Sequence, residues 1–135
     1  MPEPSPGGYG IRKVVERPFE EVLARVPAAL QGEGFGVLTE VDVRDTLKKK
    51  LGVEFRRYRI LGACNPPLAH RALEAELDVG LMMPCNVIVY EEALGRTVVT
   101  AIDPVQMMAA RGTPALREIA AAVRAKLMRA LAQVN

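Results

Sequence analysis

The chain has 135 residues, half of them hydrophobic and a quarter charged, which is the size and balance of one folded domain and excludes disorder throughout. Eighteen basic against sixteen acidic side chains leave a formal net charge of +2, too little to point to nucleic acid or a membrane surface by bulk charge. Trp is absent and there are only three Phe and three Tyr, so the core has to be mainly aliphatic.

Residues 1–10, MPEPSPGGYG, have neither the basic start nor the apolar run of a secretory signal. No stretch approaches the roughly 20 apolar residues of a membrane span. Two cysteines, Cys64 and Cys85, are too few for a disulfide scaffold. The expectation is a cytoplasmic protein with reduced thiols.

Residues 1–9, rich in Pro and Gly, are expected as a flexible tail, followed by a single domain over 10–135. Ile11 to Glu16 alternates and reads as a strand, with Ile11, Lys13 and Val15 on one face. Pro18 suits the first turn of a helix carrying Phe19, Val22, Leu23, Val26 and Leu30, bent at Pro27 and ended by Gly32 and Gly34. From Phe35 the period becomes two, which predicts a half-buried strand through Val43. Asp45 is placed to cap a short basic turn over Thr46 to Leu51, closed by Gly52. Phe55 to Ala63 reads as a strand with Tyr58 and Ile60 on the core-facing side, opposite Arg57 and Arg59.

Asn65-Pro66-Pro67 is a helix start, an Asn cap followed by proline, and Leu68, Ala69, Ala72, Leu73 and Leu77 form its stripe. Met83 to Glu91 and Arg96 to Ile102 read as a hairpin turning at Ala93-Leu94-Gly95. Thr113 and Pro114 open a last helix that buries Leu116, Ile119, Val123, Leu127, Ala130 and Leu131. The order β-α-β-β-α-β-β-α predicts an α+β two-layer sandwich, an antiparallel-rich sheet with helices on one face.

Chemistry concentrates between Leu61 and Tyr90, which hold both cysteines and His70, the only histidine. A helix N-terminus directly after Cys64 favours negative charge, so it suits a lowered thiol pKa or a bound anion. Each Cys is followed by Asn, and a β-pairing between the two segments would bring the thiols together. Against that, unpaired Cys packs as a small hydrophobe. Two Cys and one His are no zinc set. His70 falls beside Arg71 and Glu74 at the edge of the stripe and reads as solvent-facing, since no nucleophile has a third orienting group. Arg44 to Arg59 holds seven basic residues, while Glu74 to Asp103 is mainly acidic. Few aromatics accompany the basic stretch, and Tyr58 is assigned to the core side, which argues against nucleic acid. No Walker loop, GxGxxG or GxSxG motif occurs, and no cofactor is named by any segment.

Phe35 to Val43, Thr46-Leu47-Lys48-Lys49-Lys50-Leu51-Gly52, Tyr58 to Pro66 with its Cys64-Asn65-Pro66, Leu81 to Val89 with its Pro84-Cys85-Asn86, and Ile102-Asp103-Pro104 together resemble the domain-of-unknown-function family numbered 302. The likeness runs from about residue 10 to 130, departing at Pro67. It implies a compact prokaryotic α+β domain and assigns no activity or catalytic residue. The residues then support three readings. The first is a non-enzymatic module, a homodimer, binding a small anion at Cys64, Asn65, Cys85, Asn86, Lys48 and Lys50. The second is a thiol-redox protein using Cys64 and Cys85. The third is an assembly domain whose basic and acidic lobes meet between copies.

Overall fold

Helices cover one face of a six-stranded sheet in the computed structural model, which describes residues 3–108 and 112–135. The strands are β1 (Ser5–Gly7), β2 (Gly10–Val15), β3 (Gly36–Asp42), β4 (Tyr58–Cys64), β5 (Cys85–Ala93) and β6 (Arg96–Ile102). They lie in the order β1-β2-β6-β5-β4-β3, and every pairing is antiparallel. The helices are α1 (Phe19–Gln31), α2 (Val43–Leu51), α3 (Pro66–Ala75), α4 (Pro104–Met108) and α5 (Pro114–Ala132), with a 3-10 turn over Leu77–Met82. Among the described residues no helix is long and apolar enough to cross a membrane.

Local sequence sets the helix ends. Pro18 precedes α1, Pro27 sits within it, and Gly34, at φ 86°, reverses the chain into β3. Asn65 caps α3 and Thr113 caps α5, each accepting a backbone N–H three residues on, at 3.3 Å. The α+β sandwich with helices on one face is therefore present. Within it, Ser5–Gly7 pairs with β2 where a tail was expected. The basic turn is a nine-residue helix capped by Asp42 rather than Asp45. The 3-10 turn and α4 have no counterpart in the pattern read from sequence. β3 is an edge strand, largely exposed, and a register shift between Val37 and Thr39 breaks its alternation.

Register assigns the two faces. Ile11, Ala101, Val87 and Leu61 form one cross-strand row, and Lys13, Val99, Val89 and Arg59 the next. Onto these rows α1 and α5 press Val22, Val26, Leu30, Leu127 and Leu131, all inaccessible. A second, smaller core joins α3, the 3-10 turn, α4 and the first half of α5 through Leu68, Val79, Met108, Leu116 and Ile119. Tyr58 and Ile60 contribute to neither core; they lie on the opposite face with Ile88, Tyr90, Val98 and Val14. The assignment of Tyr58 to the core side is thus corrected: β4 is apolar on both faces, and Leu61 and Ala63 are the ones that meet the helices.

Two buried charges hold α5 in place. Lys13 is 2% exposed, and its ammonium donates to the carbonyls of Leu131 and Ala132 at 3.1 Å each. This satisfies the end of α5 and matches the negative pole of its dipole. Asp103, 1% exposed, accepts from the N–H groups of Val105 and Gln106 and meets Arg124 of α5 at 3.1 Å.

Burial lowers the Lys13 pKa from 10.5, with the Glu3 carboxylate opposing. The folded protein therefore loses this proton at lower pH than the unfolded chain. Stability rises as pH climbs from the lowered value toward 10.5. Lys13→Met leaves two helix-end carbonyls without this donor, so at neutral pH it is expected to lose about 1–3 kcal/mol. Urea unfolding at a series of pH values should show wild type, and not the variant, gaining stability over that interval. Parallel pH profiles would contradict this account.

Candidate functional site

Between the two cores, at the end of the sheet where β4 runs into α3, lies a cavity of about 80 Å³. Its floor is Phe35, Ala63, Cys64 and Cys85, and its walls are Leu68, Ala69 and Ala72 of α3 with Leu116, Ile119, Ala120 and Val123 of α5. Met82 and Met83 close it from the 3-10 side, and Met107 and Met108 from α4. Among the described residues no charged side chain lines it, and Asn65 is the only amide. The unbranched, polarisable thioethers make such a wall adaptable in shape.

Asn65 is 8% exposed, and each end of its amide makes one hydrogen bond. Its oxygen accepts the Leu68 N–H at 3.3 Å, while Nδ2 donates to the Glu33 carbonyl at 3.2 Å. One side chain thereby starts α3 and ties it to the turn after α1. That turn comes so close that a Cβ on Gly34 would stand 3.0 Å from Asn65 Nδ2.

β5 does lie beside β4, but Cys85 faces Ala63, with Cys64 one residue further along. Pleat alternation gives Cys64 the parity of Gly62 and Cys85 that of Val87, so their Cβ directions diverge, an unfavourable start for a disulfide. Both thiols are free and half-buried. Burial, followed by the nearby Cys64, pushes the Cys85 pKa up to about 11. At neutral pH Cys85 is a protonated thiol packed as a small apolar group.

The structure therefore brings Cys64, Asn65 and Cys85 together and leaves the other expected site residues apart. Asn86 is exposed on the face away from the helices. Lys48 and Lys50 are on α2, which follows Asp42; Asp42 pairs with Arg59, whereas Cys64 pairs with Gly36. The lysines thus sit at the opposite end of β4, some 15 Å away along the strand. Much of the basic stretch is paired within the chain. Lys48 meets Glu54, Lys49 meets Asp45, Arg57 meets Glu20, and Arg59 meets Glu40 and Asp42. His70 is exposed, 3.7 Å from Glu74 on the same helix face. Among the described residues no group of three His, Cys, Asp or Glu gathers as a metal set. The four methionines were missed by residue-type reasoning, and their signal was the two Met-Met pairs, one just before Pro84 and the other soon after Pro104.

The model of a family described as domain of unknown function DUF302 matches residues 11–134. A crystal structure of an uncharacterised conserved DUF302 protein from Bacillus stearothermophilus superposes with a TM-score of 0.87 at 33% identity. The match covers 96% of this chain and 100% of that one. No curated protein matches the chain.

The double role of Asn65 separates two variants. Asn65→Asp keeps the cap and loses the donor to Glu33, whereas Asn65→Ala loses both. Asn65→Ala is expected to cost about 2–3 kcal/mol and Asn65→Asp about 1 kcal/mol less, by urea denaturation. Equal losses would show that the bond to Glu33 alone matters.

Proposed function

The chain belongs to the DUF302 family of domains of unknown function, and from its cavity we propose that it is a non-enzymatic binding module for a small, uncharged, largely apolar molecule. The observation that carries this reading is the lining: aliphatic side chains, Phe35, four methionines, two thiols and one amide bonded at each end. Such a pocket recognises by shape and by exclusion of water, and it gives a charged group no counter-charge. Among the described residues no acid–base pair faces it, which favours binding over turnover.

A small anion held by Cys64, Asn65, Cys85, Asn86, Lys48 and Lys50 together is supported less well. The lysines are at the far end of β4, and one of the two Nδ2 hydrogens of Asn65 is already given to Glu33. Thiol exchange between Cys64 and Cys85 keeps one supporting observation, that both border the same cavity.

The cavity has about half the volume of a well-studied engineered void of roughly 150 Å³ that admits xenon and benzene. Xenon should enter as the protein stands, and benzene once methionine side chains shift. In thermal unfolding, xenon and benzene are expected to raise the midpoint, and phosphate and citrate to leave it unchanged. Ala120→Leu, which fills part of the space, should abolish the apolar response at a stability cost of about 1 kcal/mol or less. Stabilisation by phosphate that depends on Lys48 would overturn the proposal in favour of the anion.

The thiol reading has its own test. With a pKa of about 11, Cys85 is about 0.1% thiolate at pH 8. Iodoacetamide should therefore label Cys64 well before Cys85 in the folded protein. Mild oxidation should leave the chain without an internal disulfide; a Cys64–Cys85 bond formed without unfolding would establish the redox reading.

A further inference from the structure

Six of the eight sulfur-bearing side chains in this sequence border the same cavity. Separate segments deliver them. Cys64 ends β4, Cys85 opens β5, Met82 and Met83 stand at the end of the 3-10 turn, and Met107 and Met108 lie on α4. To a hydrocarbon these side chains are an apolar wall. Each sulfur also carries lone pairs, and thiolates and thioethers are the soft ligands that suit copper(I).

Ligand type and charge select the ion. Among the described residues the lining holds no imidazole and no carboxylate. Calcium and magnesium find no carboxylate ligand here. Zinc bound by both thiolates would be neutral but would still lack two of its four usual ligands. At neutral pH burial keeps Cys85 protonated, so the cavity carries no charge of its own to offset a cation. A monovalent ion that takes the place of a thiol proton needs none. The sulfur–hydrogen bond breaks, a sulfur–copper bond forms, the proton leaves to solvent, and copper stays in its +1 state. The neutral pair that results avoids the cost of an uncompensated buried charge. We propose that the cavity is a site for one copper(I) ion, held by Cys64 and Cys85, one of them as thiolate, with methionine thioethers completing its coordination. The inference rests on the cavity of the preceding reading and not on an apolar molecule entering it.

Space and reach agree with this. One ion needs no more room than a water molecule, whose share of liquid volume is about 30 Å³, and the cavity offers about 80 Å³. Cys85 faces Ala63 across the β4–β5 pairing, and Cys64 is the next residue along. Their diverging directions hinder a disulfide, whose sulfurs must stand about 2.05 Å apart. An ion is less demanding, because at about 2.3 Å per sulfur–metal bond, as in zinc thiolates, the two sulfurs stand up to about 4.6 Å apart. The thioethers have the freedom to close the remaining distance. Methionine turns about three side-chain bonds, so its sulfur travels while the backbone stays in place.

Copper(I) presented to the full chain as its coloured bicinchoninate complex, without oxygen, tests this. Wild type is expected to withdraw one ion per chain, bleaching the complex, and to release one proton per ion. Cys85→Ala should weaken binding by about 100-fold or more, since losing even a ligand's hydrogen-bond partner costs about 10–100-fold in metal affinity. Met82→Leu, Met83→Leu, Met107→Leu and Met108→Leu combined keep the thiols and the apolar volume. That variant should bind copper(I) at least about tenfold more weakly and still be stabilised by xenon, with circular dichroism confirming its fold. Copper(I) left on the chelator overturns the proposal, and a xenon response would then leave the apolar-ligand reading standing. Copper(I) held equally well by the four-leucine variant overturns it too, because the thiols then suffice alone, as does zinc(II) bound as tightly as copper(I). Copper(I) withdrawn by a chain that xenon does not stabilise supports the site and removes the apolar ligand.

Discussion

The placement of α5 is the constraint on which the rest of the molecule depends. This helix spans both cores, its second half packed on the sheet beside α1 and its first half forming a wall of the cavity. Hydrophobic contact alone leaves a helix free to slide by a fraction of a turn, because burial is non-directional. Lys13 and Asp103 remove that freedom. The first reaches up from β2 to the last carbonyls of α5, and the second ties the end of β6 to Arg124 in its middle. Desolvating these charges is costly, and each is retained with its hydrogen bonds made. What the arrangement gives is a fixed distance between the sheet and the first half of α5, across which α3 does not fully close.

The cavity follows from that geometry. α3 is anchored at its start by Asn65, and its stripe of Leu68 and Ala72 meets α5 through small residues, Ala120 among them. Small residues facing one another at fixed separation leave space, and the chain closes that space from the 3-10 turn and from α4 with methionines. A cavity with flexible walls and no charge is an economical way to hold a molecule of modest shape specificity. It would be a poor way to hold phosphate. The basic residues that invite that comparison are committed largely to ion pairs around α2, β3 and β4, at the other end of the sheet.

Local signals in the sequence were reliable where the physics is local. The Asn65 and Thr113 caps, the Gly34 reversal and the helical spacing of Phe19 to Leu30 follow from bonds within a few residues of chain. Even Lys13 was placed with Ile11 and Val15 on one face of β2, although a lysine in a strand ordinarily faces solvent. Sidedness was not legible in β4, because Tyr58 and Ile60 alternate with Leu61 and Ala63 and both sets are suitable for burial. The site was legible in part. Cys64, Asn65 and Cys85 do border one cavity, but the reach of Lys48 depends on which end of β4 α2 occupies, a consequence of antiparallel pairing over long sequence separation. The methionines come from two segments, the 3-10 turn and α4, too short to show a period.

The central claim, an uncharged ligand received among four methionines, is tested most directly by methyl NMR of methionine-labelled protein titrated with benzene. The account predicts that the methyl signals of Met82, Met83, Met107 and Met108 shift together and saturably. Met128, which packs against the main core away from the cavity, should stay in place, and phosphate should move none of these signals. Unchanged cavity methyls with benzene, or a phosphate response centred on Lys48 and Asn86, would contradict it.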